Sequence, residues 1–246
     1  MSEQIILHLA IFVASFLQGA IGIGFGVIAG PVVLIVMDDG AAIQVSIILS
    51  FVSAIMLAPA ARKDADTALL KPVFAGSLVG APLGIALFGL IGVGTLKLLA
   101  AAAVAFMALV ASGLSARLRR PGDQPATPGP LARGTVGIVS GLMNTALAMP
   151  GPVVAAFMST LDSGKLATRA TTLVLFVLTY PIAYAFQWAV AGRSDAALAL
   201  SLWLAPTTVV GVIAGRLSVP LISERLFRRI IVAILVATAL ALLLSL

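Results

Sequence analysis

The chain has no cysteine, one histidine, and charged side chains at only 10 % of its 246 positions. Each shortage excludes something. Without cysteine there can be no disulfide, thiol nucleophile or thiolate metal site. A soluble domain carries about 25 % charged residues, so this chain cannot coat itself for water. It has no phosphate-cradling G-x-x-x-x-G-K-[ST], no H-E-x-x-H and no G-x-S-x-G. The nine acidic residues, Glu3, Asp38, Asp39, Asp64, Asp66, Asp123, Asp162, Asp195 and Glu224, lie in loops or near the ends of apolar runs. A relay of carboxylates at membrane depth is therefore missing. No enzymatic activity, metal centre or cofactor is expected.

What is present is hydrophobicity, at 61 % of positions. Crossing the hydrocarbon core takes about 20 apolar residues. The apolar runs are 5–37, 41–60, 71–91, 95–115, 133–161, 170–191, 196–215 and 226–246. Six have single-span length. The first and fifth are longer and interrupted, by "GIGFG" and "GP" near residue 24 and by "NTALAMPGP" near residue 148. The start, "MSEQIILHLAIF", lacks the basic flank and cleavage site of a signal peptide and is expected to stay in the fold. The net charge of +6 fits basic loops that set orientation, rather than a nucleic-acid partner.

The loop charges test the topology. If all eight runs cross once from an inside N-terminus, eight basic residues face inside: Arg62, Lys63, Lys71, Arg117, Arg119, Arg120, Arg133 and Arg193. The other seven, Lys97, Lys165, Arg169, Arg216, Arg225, Arg228 and Arg229, face outside. That even split violates the inside bias of Lys and Arg. If the fifth run instead enters and leaves on one face, thirteen lie inside and only Lys97 and Arg193 outside. The fifth run is therefore expected to be a re-entrant pair of half-helices.

The two interrupted runs also repeat. "GPVV" occurs at 30–33 and 151–154, followed by "MDDG" at 37–40 and "LDSG" at 161–164. "GAPLG" at 80–84 matches "GVIAG" at 211–215, a spacing that suits close helix packing. The expected fold is all-α and polytopic, with two inverted repeats at 1–118 and 132–246 joined by a cytoplasmic linker, 119–131. Each repeat is a broken hairpin (5–37 or 133–161) followed by three spans. The first hairpin rests on the repeat alone, because the N-terminus carries no Lys or Arg. Both termini are expected outside, with loops 62–71, 116–133, 162–169 and 216–229 cytoplasmic.

Inverted repeats with broken helices are a common transporter build, with the substrate near the midplane. A helix that starts inside the membrane presents unpaired N–H groups and a positive dipole end, which attract anions. Gly22, Gly24 and Gly26 permit unusual backbone shapes and close ligand approach. Pro31 and Pro152 suit the first turn of a new helix. Glycines that only let hairpin arms pack are the competing explanation.

The segments "GAIGIGFGVIAGPVV", "SGLMNTALAMPGPVV" and "ATRATTLVLF" resemble the two-fold repeated signature of the TauE/SafE family of sulfite and organosulfonate exporters. The resemblance covers nearly the whole chain. It implies an inner-membrane transporter of a small sulfur oxyanion such as sulfite, or of a C2 sulfonate. The second half departs from the pattern, with "MNTALAM" where glycines are usual.

Polar side chains near the breaks complete the candidate substrate site: Gln18, Gly22, Gly24, Gly26, Gly30, Gln44, Ser46, Asn144, Thr145, Gly151, Arg169, Thr171 and Thr172. Hydroxyls and amides can complete an oxyanion shell, although Ser and Thr also bond their own helix. Arg169 suits sulfonate or sulfite oxygens and equally suits anchoring a loop end. Tyr180, Pro181, Tyr184 and Gln187 share a face of the sixth span and are candidates to line the path. His8 is titratable near neutral pH. The expected function is export of a small sulfur anion, with membrane lipid as surroundings and self-association left open. An anion channel or facilitator shares the same cradle; a purely structural subunit would not need two helix breaks.

Overall fold

The computed structural model describes residues 2–22, 24–112, 128–161, 164–218 and 224–246. Among these there is no strand. Ten α-helices occur: α1 (Ser2–Ile21), α2 (Phe25–Met37), α3 (Ala41–Ala61), α4 (Thr67–Leu90), α5 (Val93–Ala111), α6 (Pro130–Leu147), α7 (Gly151–Thr160), α8 (Lys165–Ala191), α9 (Asp195–Ser218) and α10 (Glu224–Leu244). Most of the linker 119–131, with Arg117, Arg119 and Arg120, lies outside the described residues, as do the side chains of Arg225 and Arg228.

Six helices are long and apolar enough to cross a membrane: α1, α3, α4, α5, α8 and α9. Leu90, Leu131 and Leu202 stand at 75 % exposure or more, the arrangement of a protein whose outer surface meets lipid. This is a polytopic helical membrane protein.

The hairpin arms are unequal. The 20 residues of α1 and 18 of α6 face return arms of 13 in α2 and 10 in α7. At 1.5 Å per residue α1 is about 30 Å long, so this entering arm has the length of a full span rather than of the half-helix expected. Pro31 also corrects an expectation. Helix α2 begins six residues before it and Pro31 lies in the interior, whereas Pro152 does occupy the first turn of α7. The repeated "GPVV" is thus not in one structural position, because Gly24 ends the first break before the proline is reached.

The connections sort into two ends. At one, Asp66 N donates to Thr171 Oγ1 (2.9 Å), Arg133 Nη1 donates to Ala68 O (3.1 Å), and Met158 Sδ lies 3.9 Å from Thr172 Oγ1. At the other, Gln44 Nε2 donates to Gly192 O (2.9 Å) and Ser194 N to Gln44 Oε1 (3.3 Å). Lys97 Nζ joins Asp38 Oδ1 (2.7 Å) and Ser245 O (3.1 Å) there too. Helices α3 and α8 therefore run antiparallel, the start of each tied to the loop that follows the other. The α6–α7 hairpin begins and ends at the first end. The α1–α2 hairpin does so at the second: α1 runs parallel to α9, with His8 Nδ1 2.7 Å from Thr207 Oγ1 midway along α9 and Gly19 against Val212, while Asp38, just after α2, pairs with Lys97.

Glycine lets the long helices touch. A Cβ on Gly76, Gly80 or Gly84 would strike the carbonyls of Gly134, Ile138 or Leu142, so α4 lies directly on α6. A Cβ on Gly211 or Gly215 would strike Phe12 O or Phe16 O, and one on Gly19 would strike Val212 O, so α9 lies on α1 in the same way. Each hairpin's entering arm is thus clasped by a helix of the other half of the chain.

Candidate functional site

At the first break, Gly22 N closes α1 on Gln18 O (2.7 Å), with Gly22 at φ 82°. Gln18 Oε1 accepts from Phe25 N (3.2 Å), capping the first turn of α2. That bond fixes the amide's orientation. Gln18 Nε2, on a side chain only 1 % exposed, is a donor with no protein partner. Arg169 comes from α8 onto the same turn: Nη2 donates to Gly19 O (2.8 Å), and a Cβ on Gly22 would sit 2.5 Å from Arg169 Cγ. Arg169 Nε is buried and unpartnered. Arg216 lies close enough for its charge to act on Arg169, and its backbone N is 3.0 Å from the Cβ position of Gly19. Among the described residues neither arginine pairs with a carboxylate. Gly24, at φ 127°, has open space where a Cβ would project.

The second break has the same closure. Ala148 N donates to Asn144 O (2.9 Å) and Met149 N to Met143 O (3.2 Å), with Ala148 in the left-handed region at φ 57°. Asn144 thus stands where Gln18 stands, and Ala148 where Gly22 does. Helix α8 again provides a partner, since Gln187 Nε2 donates to Thr145 O (2.7 Å). The free atoms here are acceptors, Gln187 Oε1 and Asn144 Oδ1.

The two breaks meet. A Cβ on Gly26 would strike Ala148 O; one on Gly30 would lie 3.3 Å from Met149 Cε, 3.6 Å from Ser46 Oγ and 3.8 Å from Leu147 O. Gln18, Gly22, Gly24 and Arg169 thus gather at the first break, and Gly26, Gly30, Ser46, Asn144, Thr145 and buried Gly151 at or beside the second. Gln44 and Thr171 lie elsewhere, each holding a loop at one end. Thr172 bonds Thr168 O (2.8 Å) on its own helix. The hydroxyls of Ser46 and Thr145 likewise donate to Ala42 O and Gly141 O.

Sequence reasoning set Gln187 among path-lining residues only and read Arg216 as a loop charge. A glutamine inside the apolar run 170–191 was the signal for the first. Nothing local marks Arg216, whose place depends on α9 lying against α1.

Spanning helices around two interrupted hairpins, with polar break points in contact, define the class: a polytopic helical membrane protein. The profile of the family "Sulfite exporter TauE/SafE" matches residues 7–242. The chain belongs to that family, a family of membrane transporters. No curated protein matches it, and no solved structure does.

Proposed function

We propose that the protein exports a small sulfur-containing anion, sulfite or a C2 sulfonate, held at the first break and released by alternating access of two inverted halves. One observation carries this: Gln18 Nε2 and Arg169 Nε are buried donors without acceptors, beside an arginine pair with no carboxylate among the described residues. Unsatisfied buried donors are costly, and an oxyanion with several acceptor lone pairs would satisfy them together. Arg presents a planar fork suited to such oxygens. The open space at Gly24 lies on the same turn.

Inversion is supported by the antiparallel α3 and α8 and by hairpins that open to opposite ends. The end bearing Arg62, Lys63, Lys71, Arg133, Arg169 and Arg216 is read as cytoplasmic by the inside bias of basic residues. Among the described residues the basic ones of the other end, Lys97 and Arg193, are each ion-paired, with Asp38 and Asp195. An inside-negative potential favours anion exit from the basic side.

The test is thermal stabilisation of the purified protein by sulfite, sulfate, sulfoacetate, taurine, acetate and chloride. A shift with sulfite or a sulfonate and none with acetate supports the reading; counterflow in proteoliposomes then separates a carrier from a channel. No shift with any anion would refute it.

A further inference from the structure

Helix ends inside a membrane protein carry partial charge, negative at the C-terminus. Two such ends are buried here, at the closing turns of α1 and α6, and they are treated differently. At α1 the carbonyl of Gly19 receives a full positive charge from Arg169. At the structurally equivalent carbonyl of α6, Thr145 O, the donor is the neutral amide of Gln187. No lysine or arginine among the described residues donates to this second end.

Two buried side-chain acceptors there lack a partner. The bond to Thr145 O fixes the Gln187 amide, so the free atom is Oε1, on a side chain 0 % exposed. Asn144 Oδ1 is the second buried acceptor without a partner. Ala146 O would need the N–H of residue 150 to continue the helix, and Pro150 has none. The hydroxyl protons of Thr145 and Ser140 are committed elsewhere, to Gly141 O and Pro150 O (3.1 Å). Unpaired acceptors can be satisfied by a donor or by a cation, and at the negative end of a buried helix a cation also offsets the partial charge. Broken-helix C-terminal ends and unwound carbonyls take this role for sodium in other transporter architectures.

We infer that the second break is a binding site for a small monovalent cation of sodium size, coordinated by Gln187 Oε1, Asn144 Oδ1 and carbonyls of the α6 closing turn. The cation does at Thr145 what Arg169 does at Gly19. Because the two breaks touch through Gly26 and Ala148, a charge at one changes the potential at the other. Cation and anion therefore bind cooperatively, each raising the other's affinity by the same factor. The cation site itself does not depend on which anion is carried.

The experiment uses the purified full chain in gluconate salts at constant ionic strength, without any sulfur anion, so that it stands apart from the anion reading. Replacing choline by sodium up to 100 mM should raise the thermal midpoint by about 3 °C or more. Potassium and lithium measure size selectivity. In Gln187→Lys the ammonium can donate to Thr145 O and supply the charge, so this variant should fold and show no sodium shift. Asn144→Ala should need several-fold more sodium for the same shift. Equal midpoints in sodium and choline would overturn the inference and leave a water molecule as the partner of these acceptors. So would a folded Gln187→Lys that keeps the wild-type response. Should that variant fail to fold, the wild-type comparison and Asn144→Ala decide alone.

Discussion

Arg169 donates to the carbonyl of Gly19 at 2.8 Å, across 150 positions of sequence. Eighteen residues along the same helix, Gln187 donates to Thr145 O at 2.7 Å. At 1.5 Å per residue the Cα positions of these two residues are about 27 Å apart along α8, although the breaks that their side chains reach adjoin at Gly26 and Ala148. One helix therefore closes both broken hairpins, with a charge at one end and a neutral amide at the other. That difference separates a donor-rich first break from an acceptor-rich second one, and several expectations follow from it and from the packing around it.

Replacing Arg169 by Gln should weaken sulfite binding at least tenfold in titration calorimetry, while Lys should restore part of it. A hydrogen bond to a charged group contributes about 1.5–3 kcal/mol, or roughly 10- to 100-fold in affinity. Wild-type affinity in a folded Arg169→Gln protein would remove the first break from the binding site.

The two left-handed turns make an asymmetric pair. Ala148 holds φ 57° with a Cβ, a strain of about 1–3 kcal/mol, so Ala148→Gly should raise the thermal midpoint slightly or leave it unchanged. Gly22→Ala combines the same strain with a collision at Arg169 Cγ and should lower both the midpoint and transport. The two are compared by thermal unfolding in detergent and by sulfite efflux.

Helix contact through glycine predicts a matched pair in the two halves. Gly80→Leu and Gly215→Leu each drive a side chain into a backbone carbonyl, Ile138 O or Phe16 O. Overpacking of this kind costs about 1–3 kcal/mol or more, so both should unfold or aggregate earlier on detergent size exclusion after heating. Gly92→Leu, where a Cβ meets nothing within 4 Å, should behave as wild type.

The Lys97–Asp38 pair should respond unequally to loss of either partner. Side-chain exposure is 8 % for Lys97 and 72 % for Asp38. Asp38→Asn strands a buried ammonium, which is costly. Lys97→Met strands a carboxylate that water can solvate. Thermal midpoints should therefore fall further in Asp38→Asn than in Lys97→Met, and a double-mutant cycle measures the coupling.

Much of this architecture is legible without coordinates because its causes are local and additive. A run such as 41–60 reads as a span from its own hydropathy, and the helix α3 (Ala41–Ala61) follows it closely. The breaks near residues 24 and 148 announce themselves through glycine and proline. The glycines at 76, 80, 84, 211 and 215 reveal a need for close approach, though not the partner. Elsewhere local cues misled. "GPVV" looks identical at 30–33 and 151–154, yet only Pro152 opens a helix; Gly24, six positions upstream of Gly30, had already opened the other. For Gln44 and Thr171, candidate ligands because they start spans near the breaks, the sequence gives no sign of the bonds that the structure shows. Both residues are held by loops that only the antiparallel crossing of α3 and α8 brings within reach.

The sequence by itself determined that this protein lives in lipid, where its chain must break, and which loops share a sign of charge, since each depends on neighbouring residues or on sums over segments. Tertiary structure decided the chemistry of the breaks. An amide can present either a donor or an acceptor, and which end stays free depends on the distant group that takes the other. Gln18 gives its oxygen to Phe25 N and keeps a donor; Gln187 gives its hydrogen to Thr145 O and keeps an acceptor.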